Sequence, residues 1–112
     1  MTNAAKAKGS RAERQLADCL NAHGWPCERI PAGATLDRGD LWVPVIEWPS
    51  IDVKDHGTHS IGAWIDRAVE QGENAGRATG SVVWKRRGKA DPLEWFWIFP
   101  VRGFLNLMEQ FR

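Results

Sequence analysis

The stretch Asp40-Leu41-Trp42-Val43-Pro44-Val45-Ile46-Glu47-Trp48-Pro49-Ser50-Ile51-Asp52-Val53-Lys54 decides the architecture. Asp40 closes a loop rich in small residues and opens an apolar run, Leu41 to Glu47, that reads as a strand. Pro44 has no N–H to give a ladder, so that strand belongs at an edge or carries a bulge. Trp48-Pro49-Ser50 is a turn, and Ile51 to Lys54 a second, short strand. Side chains alternate along a strand, so Asp52 and Lys54 share one face, with Cα atoms about 6.5–7 Å apart. Ile51 and Val53 share the other. A hairpin between the two strands brings Asp40 towards Asp52, and two carboxylates then converge beside one ammonium.

Working outward, the flanks supply helices. Ser10-Arg11-Ala12-Glu13 has the form of a capping box, with Ala12, Leu16, Cys19 and Leu20 at helical spacing and Gly24 as the stop. This predicts a helix from about Arg11 to His23, preceded by a flexible tail, residues 1–9. Trp25 to Ile30 reads as extended. After the loop Asp55 to His59, Ser60 is placed to cap a second helix, with Ile61, Trp64, Ile65 and Ala68 as its buried stripe and Asp66, Arg67, Glu70 and Glu73 outside. Ser81 to Lys85 and Glu94 to Phe99 read as strands around a basic loop. Trp95 to Phe99 is apolar throughout, which predicts cover on both faces. Val101 to Phe111 is a closing amphipathic helix. The order α-β-β-β-α-β-β-α gives an α/β fold, a mixed sheet flanked by helices, in one domain over residues 10–112.

Bulk composition narrows the classes. Apolar residues make up 43% and charged residues 26%, which suits a globular domain and excludes a disordered or fibrous chain. The formal net charge of +1 does not mark a nucleic-acid binder by itself. Its distribution says more: Lys6, Lys8, Arg11 and Arg14 crowd the N-terminus, and Lys85, Arg86, Arg87 and Lys89 crowd one loop. Cys19 and Cys27 form no CxxC pair, so reduced thiols of a cytoplasmic protein are expected. No run is apolar and long enough for a signal peptide or a membrane span. The seven Trp residues exceed what separate burial in so small a domain allows, which assigns some to the core and some to an interface.

Two converging carboxylates make a hard-oxygen site suited to Mg²⁺ or Mn²⁺. An adjacent lysine can stabilise charge developing at phosphorus. On these residues the chain resembles the PD-(D/E)XK nucleases: Asp40, a spacer from Leu41 to Ile51, then Asp52-Val53-Lys54. The helix carrying Glu13, then Gly39-Asp40, then the D-x-K strand, is similar to archaeal-type Holliday junction resolvases. The Trp84-Lys85-Arg86-Arg87-Gly88-Lys89 segment resembles that of small resolvases encoded by actinobacterial phages.

The resemblance implies a restriction-endonuclease-like fold and a homodimer cutting four-way DNA junctions. It makes Asp40, Asp52, the Val53 carbonyl and Glu13 metal ligands, with Lys54 the catalytic lysine. Gly39 stands where the motif has Pro, and Asp52 where Glu is commoner.

Each reading has a plainer rival. Asp52 and Lys54 also fit a solvated pair, Asp40 a turn, and Glu13 the helix cap alone. Glu47 is a rival ligand, but Pro49 stands where its lysine belongs. Glu70 and Gln71 read as surface residues. Lys8, Arg11, Lys85, Arg86, Arg87 and Lys89 are the expected DNA contacts, against a merely solubilising hairpin tip. His56 and His59 lack the helical context of a zinc site. Other functions also fit: a same-fold nuclease for nicked, flapped or linear DNA, or a structure-specific DNA-binding protein without cleavage.

Overall fold

A computed structural model describes residues 3–31, 36–45, 47–57 and 60–112. Helix α1 (Asn3–Ala22) leads into β1 (Glu28–Arg29), β2 (Leu41–Trp42) and β3 (Ser50–Lys54). Then come α2 (Ile61–Asn74), β4 (Gly80–Trp84), a 3-10 turn (Pro92–Glu94), β5 (Phe96–Ile98) and α3 (Val101–Met108), closed by a second 3-10 turn (Glu109–Phe111). The five strands form one sheet in the order β1-β2-β3-β4-β5. β3 and β4 run parallel, joined by α2 as a crossover, and the other neighbours are antiparallel. The predicted α/β class, mixed sheet and element order are all present.

The sheet divides the molecule. Ile51 and Val53 point to the α1 side, where Ala12, Leu16, Ala17 and Leu20 pack with Leu41, Val43, Val83 and Trp95 as the main core. Ser50, Asp52 and Lys54 point to the α2 side, as alternation requires. α2 lies close against this face because Gly72 and Gly80 meet there without side chains. A Cβ on Gly80 would stand 1.7 Å from the Ala68 carbonyl oxygen.

Several expectations are corrected. α1 starts at Asn3, so residues 3–9 form its first turns and Ser10 lies inside the helix rather than capping it. Gly24, with φ of 86°, is the stop, and Asn21 fixes the exit by bonding Ala17 O, Cys27 O and Cys27 N–H. β2 is cut to Leu41–Trp42. Pro44 cannot donate, and Val45 N–H and Trp48 N–H turn back onto Val43 O and Val45 O. Ser60 caps α2 without a side-chain hydrogen bond.

The buried stripe of α2 is also shifted. Ala68, Gln71 and Gly72 are buried, Trp64 and Ile65 half-buried, and Ile61 exposed. β5 lies at the sheet edge, so only Trp95 of the Trp95 to Phe99 run is buried and Phe96 is exposed. No helix among the described residues is long and apolar enough to cross a membrane. Cys19 and Cys27 are free thiols, and burial pushes Cys27 up to about 11.

Candidate active site

Asp40 is fixed from both directions by backbone. Its N–H donates to Ile51 O at 2.8 Å, and its carbonyl accepts Ile30 N–H at 2.9 Å. Its carboxylate then accepts Val53 N–H at 2.8 Å through Oδ2, replacing a ladder bond just where β2 has ended. The turn that delivers it needs glycine at 39. There φ is 96°, and a Cβ would come within 3.0 Å of Ile51 O. Proline, with φ locked near −65°, cannot take that conformation.

Asp52 is 5% exposed. Its Oδ2 lies 3.0 Å from Lys54 Nζ in an ion pair, yet at an angle that gives no hydrogen bond, so this buried oxygen lacks a hydrogen-bond partner among the described residues. Its Oδ1 receives a long bond, 3.5 Å, from Gln71 Nε2. Burial, and next the facing Asp52 carboxylate, push Asp40 up to about 8; the Val53 N–H opposes this, and Glu13 adds a smaller repulsion.

Such a pair fits a hard divalent cation, which would offset the repulsion between the two carboxyls and satisfy the Asp52 oxygen that lacks a hydrogen bond. Asp40 and Asp52 would hold it. The Val53 carbonyl is on the same strand edge as the Val53 N–H that meets Asp40, and is a third donor there. Glu13 faces the site from α1 but is engaged elsewhere: Arg29 Nη2 lies 3.3 Å from its Oε1 and 3.4 Å from Ser10 Oγ. Among the described residues no three His, Cys, Asp or Glu side chains are spaced to hold a metal. The expected set of Glu13, Asp40 and Asp52 is therefore not brought together as a three-carboxylate group, and Glu13 is paired with Arg29 of β1.

A second network supports the first. Asp37 Oδ2 accepts from Arg67 at 2.8 Å and from Gln71 at 3.0 Å, its carbonyl accepts from Asn74 at 2.9 Å, and its Oδ1 caps Gly39 N–H at 3.1 Å. Burial opposes the charge on Asp37, but Gln71, the Gly39 N–H and Arg67 outweigh it and hold the carboxyl below its usual range. Gln71, expected at the surface, is buried and touches both Asp37 and Asp52. Arg67, Gln71 and Asn74 recur at i, i+4 and i+7, and this polar stripe beside the apolar one was the signal for it.

Asp37, Asp40, Asp52 and Glu13 line a cleft of about 760 Å³ whose cations are Lys6, Lys8, Arg29, Arg38, Lys54 and Arg67. Of the expected DNA contacts, Lys8 is in the cleft, 3.5 Å from Asp55. Arg11 is exposed on α1 outside it. Lys85 bonds Gln15 Oε1 at 3.0 Å and lies over Trp95. Arg86 is turned to β5, over the Phe96 ring and bonded to Glu94 O, and Lys89 is 3.8 Å from Glu94. Arg87 is exposed and reaches back to Gly57 on the cleft rim. Arg86 and Lys89 are thus committed to their own hairpin and Lys85 to α1 and Trp95, and the cations at the site come from α1, β1, the loop before Asp40, β3 and α2. His56 packs near Trp64, and His59 lies outside the described residues. No family model, curated protein or solved structure matches the chain.

Proposed function

We propose that this protein is a Mg²⁺-dependent endodeoxyribonuclease of the restriction-endonuclease-like kind, Mn²⁺ substituting, and that its substrate is branched DNA, the four-way Holliday junction of recombination. The observation that carries the reading is the buried Asp40–Asp52 pair, with Lys54 beside it, on the floor of a cation-rimmed cleft. When bound, the metal supplies Lewis acidity at the phosphodiester and a more acidic water. Asp40, Asp52 and the Val53 carbonyl bind it. Lys54 donates to the attacking water or to the oxygens gaining charge at phosphorus. Gln71 keeps Asp52 oriented, and the cleft cations hold the backbone without reading bases.

Symmetric junction cutting needs two such sites, so the working form is a homodimer. The apolar face from Trp25, Trp48 and Trp97 to Phe99 and Phe111 is suited to that contact. A host cytoplasm, where DNA and Mg²⁺ are both present, is its place of action. The deciding experiment is cleavage of a labelled four-way junction beside a linear duplex, in Mg²⁺ and in EDTA, with wild type and Asp52→Asn. Paired nicks in the junction alone, requiring metal and Asp52, are expected. Equal cutting of both DNAs leaves a nuclease without junction preference, and binding without cutting leaves a DNA-binding module.

A further inference from the structure

We infer that Arg29 is a positioning residue that holds Glu13 off the metal site until a DNA phosphate takes its place, so that DNA and metal bind cooperatively through this pair. The inference rests on the metal-dependent reading above. Ser10 and Glu13, three residues apart, share one face of α1, and Arg29 reaches both with the same nitrogen, Nη2. The contact is long and single rather than a two-bond fork, and the Arg29 side chain is 43% exposed, so it is a weak and exchangeable pair. Arg29 also lines the cleft with Lys6, Lys8 and Arg38, where a strand of DNA would run. A phosphate there offers the guanidinium two charge-assisted bonds against the single one from Glu13.

Once released, Glu13 is free to serve the site it already faces. Its charge is felt at Asp40 even in the paired state. As long as Arg29 holds it, only Asp40 and Asp52 converge. Coupling must be reciprocal: DNA that takes Arg29 tightens metal binding, and metal that takes Glu13 leaves Arg29 available to DNA.

The test measures Mn²⁺ affinity from free Mn²⁺ by electron paramagnetic resonance, in a Lys54→Ala background that slows turnover. Arg29→Gln, Glu13→Gln and the double variant are compared without DNA, with thermal melts to confirm folding. Arg29→Gln is expected to tighten Mn²⁺ about three- to fivefold, the strength of an exposed ion pair. In the Glu13→Gln background the same change is expected to do nothing, and Arg29→Lys is expected to resemble the parent. A short duplex should tighten Mn²⁺ binding by a factor that shrinks in Arg29→Gln. Equal tightening in both backgrounds would reduce Arg29 to a repulsive charge and overturn the coupling, as would no tightening at all. If no variant binds Mn²⁺ and Asp52→Asn changes nothing, the metal reading fails and this inference with it.

Discussion

The Val53 N–H donates to the Asp40 carboxylate at 2.8 Å, so a side chain completes the ladder that the backbone of β2 leaves unfinished. This bond locks the carboxylate beside β3, against Asp52, and sets up a conflict of charge. The N–H favours ionised Asp40, while burial and Asp52 disfavour it more strongly.

The conflict has a direction in pH. The unfolded chain loses the Asp40 proton near 3.8, and the folded protein keeps it up to about 8. Folding is favoured by this group below pH 4, and that contribution is lost as pH rises to 8 and beyond. In EDTA the melting temperature should fall between pH 5 and pH 9. Asp40→Asn, which can still accept the Val53 N–H, should flatten that slope and stabilise the protein at pH 9 by on the order of 2–4 kcal/mol. Mg²⁺ should restore stability more at pH 8 than at pH 6, because binding displaces the proton. Parallel slopes for the two proteins would place the penalty elsewhere.

Lys54 separates binding from chemistry. Its ammonium touches Asp52 at 3.0 Å and lies 6.0 Å from the Trp64 ring centroid. Lys54→Ala removes the only cation paired with that carboxylate among the described residues, so Mn²⁺ affinity should hold or rise in calorimetry. The single-turnover cleavage rate should fall by about 10²–10³-fold. Loss of metal binding in step with rate would make Lys54 a structural support instead.

Gln71 links the two networks, with Nε2 3.0 Å from Asp37 and 3.5 Å from Asp52. Gln71→Leu keeps the volume and removes both bonds. The expected result is a cleavage rate lowered about tenfold with DNA affinity unchanged, and a stability loss of about 1–2 kcal/mol from the donor withdrawn from Asp37. Weakened DNA binding with a normal rate would instead mean that the loop before Asp40, not Asp52, depends on this residue.

What the sequence made legible was whatever depends on local period. Alternation alone placed Asp52 and Lys54 on one face and Ile51 and Val53 on the other, and the order of elements gave a mixed sheet. Three features depended on tertiary contact instead. Ser10 and Glu13 have the spacing of a capping box, yet the helix continues back to Asn3, and Arg29, far along the chain, takes their side chains. Gln71 sits among charged helix residues that suggest solvent, but the glycine contact at Gly72 and Gly80 draws this turn of α2 against the sheet. The loop cations near Gly88 looked free because Glu94, Phe96 and Gln15, which engage them, are distant or unremarkable in sequence.

That glycine contact carries its own prediction. Gly80 opens β4, and any Cβ there would overlap the Ala68 carbonyl oxygen at 1.7 Å, a backbone atom that cannot rotate away. Gly80→Ala should cost about 3 kcal/mol or more and displace α2 from the sheet, loosening Gln71 and Arg67 with it. Gly62→Ala, in the same helix with open space at its Cβ, is the control and should be neutral or stabilising. Equal melting temperatures for the two variants would contradict the close helix–sheet contact.

The arrangement of cations predicts which of them touch DNA. Arg38 and Lys8 line the cleft, whereas Arg86 is spent on Phe96 and Glu94 and Lys89 on Glu94. Phosphate contacts release counterions, so each lost contact should lower affinity and reduce the slope of log K against log salt by about one. Arg38→Ala and Lys8→Ala should therefore each weaken DNA binding about three- to tenfold with a shallower slope. Arg86→Ala should leave the slope intact and lower the melting temperature instead, since its guanidinium covers an exposed ring on the edge strand. Fluorescence anisotropy over a salt series, on protein held in EDTA, distinguishes the cases. A reduced slope for Arg86→Ala with none for Arg38→Ala would move the DNA from the cleft to the hairpin.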